Sequence, residues 1–396
     1  MKRLINSELG TIFVIMGLAS LAMAILNPIL PLLLTSINVV PSLIGLMLAV
    51  GMVGMVFGES SGGWLADKIG VKIPLSVGTF LCAPLVLLFV FVRGIPALFS
   101  IFLFWGVVRA AIFGPARGYI GNTSTLDNKA TIIAVYMTFM TVARSLGSLA
   151  SGFIADRLSY NWDFYISVGL SVLAGILVII GLRKIPLLKP APKVETFAFA
   201  PHPKAVRPAV NYRPVVVQCI IATLFFMGIG VNSFMPLLAT EVVGVKATQV
   251  GILYFIGGGV STLLFIPLGR LADRKDKKLL IILGFLLSAS GLAGLGIAKE
   301  YALLIVMVII CNTGFAMFTP AAVALLSNNV PVYWQSTAMG IYGAAEDLGI
   351  IIGSGVGGFV WTAGGPTALY LMGSAAGVAG ALICLIFIKR RVAASV

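Results

Sequence analysis

Apolar runs of roughly twenty residues or more follow one another along almost the whole chain. They lie at 9–35, 42–66, 73–92, 96–121, 130–156, 164–182, 215–240, 248–272, 279–298, 301–327, 335–361 and 366–388. A run of about 20 residues crosses a hydrocarbon core roughly 30 Å thick as an α-helix. In that solvent each backbone polar group must be paired within the protein. The pattern predicts an all-α polytopic membrane protein with twelve transmembrane helices. No segment between the runs is long enough to bury a core of its own, so no soluble catalytic domain, cofactor or enzyme activity is expected.

Charge is scarce and unevenly placed. Only 10% of residues are charged, against about 25% in soluble domains. The net charge of +14 raises the question of nucleic acid, but its location argues against that partner. With the N-terminus inside, the cytoplasmic segments collect 20 Lys and Arg and the outer loops only Arg93, Arg157, Lys246 and Lys299. That asymmetry predicts both termini in the cytoplasm of a plasma or inner membrane. The run after Met1-Lys2-Arg3 is too long for a signal peptide and is taken as span one. The 45 glycines read as close helix-packing faces. Cys82, Cys219, Cys311 and Cys384 each fall inside an apolar run without metal-ligand spacing, so neither disulfide nor metal is expected. His202 falls in a Pro-rich loop.

The two halves repeat. Asn27-Pro28-Ile29-Leu30-Pro31 returns as Asn232-Ser233-Phe234-Met235-Pro236, and Gly114-Pro115-Ala116 as Thr319-Pro320-Ala321, both at an offset of 205. Gly63-Trp64-Leu65-Ala66-Asp67-Lys68 returns as Gly269-Arg270-Leu271-Ala272-Asp273-Arg274 at 206, as does Gly147-Ser148 at Gly353-Ser354. The repeat predicts two six-helix bundles, 1–182 and 214–396, in a pseudo-two-fold arrangement about the membrane normal. Residues 183–213 join them. Six prolines and seven Lys or Arg in that stretch read as a basic, extended cytoplasmic linker.

Gly63-x-x-x-Asp67-Lys68-x-Gly70-x-Lys72 resembles motif A of the major facilitator superfamily, and Gly269, Asp273 and Arg274 form its weaker copy. With twelve spans and the repeat, the resemblance covers essentially the whole chain. It implies rocking alternating access, with Asp67 gating at the N-terminus of span eleven near Gln335. The stretch Ala143 to Gly152 corresponds to motif C of the drug antiporters. Ser148 stands there in place of its Pro, and Ser354 in the second copy. Arg109 fits the arginine of motif B, with Gly114 one residue later than that pattern expects.

Ionisable groups inside a bilayer are costly and mark functional positions. Glu59, Arg109, Arg144, Glu346 and Asp347 are the proton-coupling candidates. At about 1.5 Å per residue, Glu59 lies about 12 Å deep, Glu346 about 16 Å, and Arg109 and Arg144 near 20 Å. Asp347 is turned by about 100° from Glu346. The fold would bring spans two and eleven, and hence Glu59 and Glu346, together. Two carboxylates there would not both ionise comfortably, which suits one of them to carry a proton. Buried ion pairs holding the halves together are the structural alternative. The fold implies a substrate cavity lined by spans one, four, seven and ten. Asn27, Arg109, Asn232 and Asn312 are its polar candidates, and Trp105, Tyr136, Phe225, Phe226 and Tyr342 its aromatic ones. Prolines 28, 31, 115, 236 and 320 are expected to kink these spans.

No Gly-x-x-x-x-Gly-Lys-Ser/Thr loop occurs, which excludes a built-in ATPase of that type. The reading is a monomeric secondary transporter whose partners are a small-molecule substrate, protons and the lipid bilayer. Proton-coupled export of amphipathic, drug-like compounds is the first hypothesis. Carriage of a small organic anion on Arg109 and Arg144 is the second, and lipid or lysolipid flipping the third.

Overall fold

The computed structural model describes residues 7–123, 129–182, 212–274, 276–331 and 335–388. The first bundle holds α1 (Ser7–Ser36), α2 (Pro41–Ile69), α3 (Lys72–Phe91), α4 (Ile95–Thr123), α5 (Lys129–Arg157) and α6 (Tyr160–Gly181). The second holds α7 (Arg213–Asn232), α8 (Ala247–Arg274), α9 (Lys277–Gly296) and α10 (Tyr301–Asn329). One helical run, Gln335–Phe387, completes it. Gly365, at φ 75° and ψ −179°, breaks that run into α11 (335–364) and α12 (366–387). Glycine alone takes that backbone conformation without strain, and Pro366 starts the new helix. The linker reading for 183–211 lies outside the described residues.

Among the described residues, twelve long helices thus stand where twelve runs were read. Ten stretches qualify as membrane spans by length and apolarity, the 337–387 stretch containing both α11 and α12. The helix missing from that count is α5, which carries Arg144.

Two elements differ from the sequence reading. The seventh span is not one straight helix to residue 240. The α-helix stops at Asn232, resumes over Met235–Leu237 and widens into a π-turn over Leu238–Val242. Pro236 explains the place of the break, because its ring clashes with the carbonyl four residues back, which is that of Asn232. In the first copy α1 stays helical through Pro28 and Pro31. The carbonyl that Pro28 leaves without an N–H is that of Ala24, and the Ser148 hydroxyl donates to it at 3.1 Å. The sixth span starts at Tyr160 rather than 164, which brings Asp163 into its first turn.

The repeat survives as atomic detail. Lys72 donates to the carbonyl of Ile179 near the C-terminus of α6 at 2.8 Å. Lys278 donates to that of Leu385 near the C-terminus of α12 at 2.7 Å. The two lysines are 206 positions apart, and so are the two acceptors. A cation at the last carbonyls of a helix also meets the negative end of its dipole. This assigns the Lys72 of motif A to packing α3 against α6. Gly70, at φ 84°, ends α2 by donating its N–H to Ala66.

The bundles meet along α2 with α11 and α5 with α8. At the seam, backbones approach so closely that a Cβ on Gly45 would collide with the Ser354 carbonyl, and one on Gly251 with that of Ser148. Gly358 likewise faces Pro41 and Ser42, while Gly152 faces Ala247 and Thr248. These are the same contacts repeated at 206. All lie toward the end of the bundle opposite motif A, called the far end below. Near the motif A end, the Cβ positions of Gly269, Gly340 and Gly343 meet no neighbouring atom within 4 Å among the described residues.

Candidate functional site

Small residues let the helices touch at the far end, and the charged residues line the part that stays apart. The α2–α11 contact runs down to Ala49 and Gly355. Glu59 lies ten residues beyond Ala49, and Glu346 nine residues before Gly355, so both sit about 14 Å further toward motif A. Glu59 and Arg144 are exposed, as is Asn27 in the middle of α1. In a spanning helix such side chains face water or protein rather than lipid. Glu59 and Arg144 mark an opening between the bundles on the motif A side, whereas Asn27, past Ala24, lies at the level of the far-end contacts.

Arg109 organises the first bundle's side of this opening. Its guanidinium stands over the indole of Trp105, 4.8 Å from the ring centroid, and donates toward the Met55 sulfur. Arg144 lies over Phe113 at 5.8 Å. A cation over an aromatic face is stabilised by the ring quadrupole, so two rings of α4 help to position Arg109 and, across on α5, Arg144. Arg144 and Glu59 are within electrostatic reach of Arg109. Two like charges and one acid therefore share this wall.

On the opposite wall the carboxylate acting on Glu346 is that of Asp347, and Tyr342 lies within reach of Glu346 one turn earlier. The acid pair seen is thus Glu346 with Asp347, while Glu59 acts on Arg109. Glu59 and Glu346 share a depth on facing helices, and the acid acting on Glu346 is Asp347.

The repeat shows what is peculiar to these charges. At an offset of 206, Glu59 corresponds to Phe265, Arg144 to Ile350, and Glu346 and Asp347 to Met140 and Thr141. Arg109 corresponds to Gly314 or Phe315, as the offset there is 205 or 206. Each ionisable group is matched by an uncharged one, so the scaffold does not require it.

The remaining cavity candidates divide. Asn232, Asn312 and Phe225 come together around a cavity of ≈ 180 Å³ inside the second bundle. Phe225 is stacked on Phe318, with centroids 3.8 Å apart, and Phe226 packs edge-on against Phe225. Asn312 donates to Val308 and accepts from Ser261. Trp105 is buried against Phe89 and Phe102. Tyr136 is buried against Phe13 and Tyr342 is buried in α11. These three meet their neighbours as packing residues. Of the motif A set, Lys68 lies over Trp64 at 3.9 Å, and Gly269 is partly exposed on α8. The surroundings of Gly63 and the side chains of Asp67, Asp273, Arg274 and Gln335 lie outside the described residues.

Two acids escaped the sequence reading. Asp156 at the end of α5 accepts from the backbone N–H of Ala247 at 3.1 Å and of Thr248 at 2.8 Å, capping α8 across the seam. The Thr248 hydroxyl also donates to Gly152. Asp163 is fully buried, and the Ser151 hydroxyl is the side-chain donor beside its carboxylate. Both were read as loop or span-edge residues, and only a correct start for α6 would have exposed Asp163 as intramembrane.

Comparison with known proteins agrees with this architecture. The uncharacterised MFS-type transporter MJ1560 of Methanocaldococcus jannaschii is 21% identical over 307 residues, covering 75% of this chain and 76% of that protein. The quinolone resistance protein NorA of Staphylococcus aureus is 22% identical over 384 residues, 96% of both chains. Among solved structures, the nucleoside transporter NupG superposes with a TM-score of 0.77 at 16% identity, covering 98% of this chain and 100% of that one. The human organic anion transporter MFSD10 gives 0.64 at 15%, covering 96% and 99%. A bacterial homologue of the lysosomal transporter Spinster, inward-facing and unoccupied, gives 0.72 at 13%, covering 96% and 94%. The pattern of the Major Facilitator Superfamily matches residues 12–354. Twelve helices in two repeated bundles, a charged opening at their seam and this match together place the chain in the Major Facilitator Superfamily, as a multi-pass membrane transporter of small molecules.

Proposed function

We propose that this transporter exports amphipathic, drug-like small molecules in exchange for protons, by rocking of the two bundles about the seam. Its termini and motif A face the cytoplasm of a plasma membrane, so the opening described above is the inward-facing one. The observation that carries the reading is the placement of Glu59, Glu346 and Asp347 around that opening, at positions where the repeat has uncharged residues. An acid that faces water in one state and protein in the other changes its affinity for a proton with the state. That is the differential binding a coupled carrier needs. Similarity to NorA over 96% of both chains supports export and a quinolone as probe cargo.

The test is uptake of the quinolone norfloxacin into proteoliposomes holding the purified protein. An acid lumen should drive accumulation several-fold above that without a gradient. Equal accumulation with and without the gradient would sink proton exchange. A second reading rests on the mutual proximity of Arg109 and Arg144. Two cations within reach of each other suit an anionic cargo between them. Saturable uptake of benzenesulfonate that is lost in Arg109→Ala would favour that reading over the first.

A further inference from the structure

The ≈ 180 Å³ cavity inside the second bundle is bounded by α7, α9, α10 and α12. Its wall carries no ionised side chain. Phe225, Phe285 and Phe315 form an aromatic corner, with Phe225 and Phe285 edge-to-face at 5.3 Å and Phe225 and Phe315 near-parallel at 6.4 Å. Most polar groups on the wall are already committed. Asn312 is held by Val308 and Ser261, and Ser288 and Cys311 bond each other's carbonyls across α9 and α10. The exception is the side-chain amide oxygen of Asn232, which is buried and meets no hydrogen-bond donor among the described residues. It sits where Pro236 ends α7, so the irregular backbone there aims an amide into the bundle.

A buried acceptor without a donor is unfavourable unless something fills the space beside it. The aromatic corner suits a flat ring through edge and face contacts, and the volume fits one substituted ring. We propose that this cavity binds an uncharged aromatic group bearing a single O–H or N–H, which donates to Asn232. The proposal deepens the transport reading, because it names the part of a cargo that the second bundle recognises. Recognition falls on neutral chemistry here, while charge is handled at the Arg109 and Glu346 walls.

Phenol and anisole separate the idea from simple filling of a greasy void, since they share the ring and differ in the donor. Binding to the full-length protein in nanodiscs is followed by saturation-transfer NMR and calorimetry. Phenol should bind saturably, at least tenfold tighter than anisole, and Asn232→Leu should abolish the preference. Cys311→Leu, which fills the cavity without touching the acceptor, should weaken both ligands. Equal affinities for phenol and anisole, or a preference that survives Asn232→Leu, would overturn the proposal. So would absence of saturable phenol binding. Phenol binding that does not compete with norfloxacin would leave this site standing and count against the cargo assignment.

Discussion

The carboxylate of Asp156 accepts the backbone N–H of Thr248 at 2.8 Å, so the last turn of α5 in one bundle caps the first turn of α8 in the other. A negative group at a helix N-terminus satisfies orphan donors and meets the positive end of the dipole. The equivalent of Asp156 on α11 is Thr362, which bonds its own helix at Gly358. The latch is therefore one-sided, added to a symmetric seam.

Asp156→Ala removes that cap and should cost the closed far end about 1 kcal/mol, roughly a fivefold shift in population. Spin labels at Leu158 and Lys246 read it as a larger long-distance fraction. Thr362→Ala should leave the distribution unchanged. An identical distribution for Asp156→Ala would remove Asp156 as a latch.

Two glycine substitutions should fail differently. Gly45 faces the other bundle at Ser354, while Gly353 faces Met227 within its own bundle. Gly45→Val should leave a folded protein whose far end cannot close, so transport is lost with little change in melting temperature. Gly353→Val should lower the melting temperature sharply, because overpacking of a tight contact costs about 1–3 kcal/mol. Similar melting behaviour of the two would contradict the division into bundles and seam.

Ser148→Ala strands the Ala24 carbonyl that Pro28 cannot pair. A destabilisation of about 1 kcal/mol is expected, within the range for helix-to-helix hydrogen bonds in membranes. Ser354→Ala should cost less, because Ser354 bonds the Ile350 carbonyl of its own helix. Reversible unfolding in mixed micelles measures both.

Asp163 is fully buried beside the single hydroxyl of Ser151, and Leu369 stands at its place in the second bundle. Asp163→Leu should stabilise the protein by about 1 kcal/mol or more, as replacing a buried polar group with an apolar one often does. A rise in melting temperature with loss of transport would mark Asp163 as retained for function. A fall in stability would show that the carboxyl is paired in the working protein.

Much of this was legible in the sequence because the bilayer forces it. Apolar runs and loop charges marked the spans, and the 205–206 offset marked the two halves, within which the structure repeats contacts as specific as Lys72 with Ile179 and Lys278 with Leu385. What stayed hidden depends on where helices diverge. Glu59 and Glu346 were placed together because the resemblance implies that spans two and eleven meet, while in the structure Glu59 acts on Arg109 and Asp347 on Glu346. Asn232 was read as a cavity residue, but its setting in a side cavity depends on the break that Pro236 imposes. Tyr136 and Trp105 have the composition of a binding wall and the burial of a core, a distinction that periodicity does not carry.

The central claim is that acids at the seam couple transport to protons, and Glu346 tests it most directly. Proteoliposomes loaded with a pH-sensitive dye are given an outward proton gradient, and norfloxacin is added outside. Wild type should alkalinise the lumen as the quinolone enters. Glu346→Gln should abolish that change while norfloxacin still exchanges across the membrane at equal pH. Lumen alkalinisation at the wild-type rate in Glu346→Gln would contradict the account.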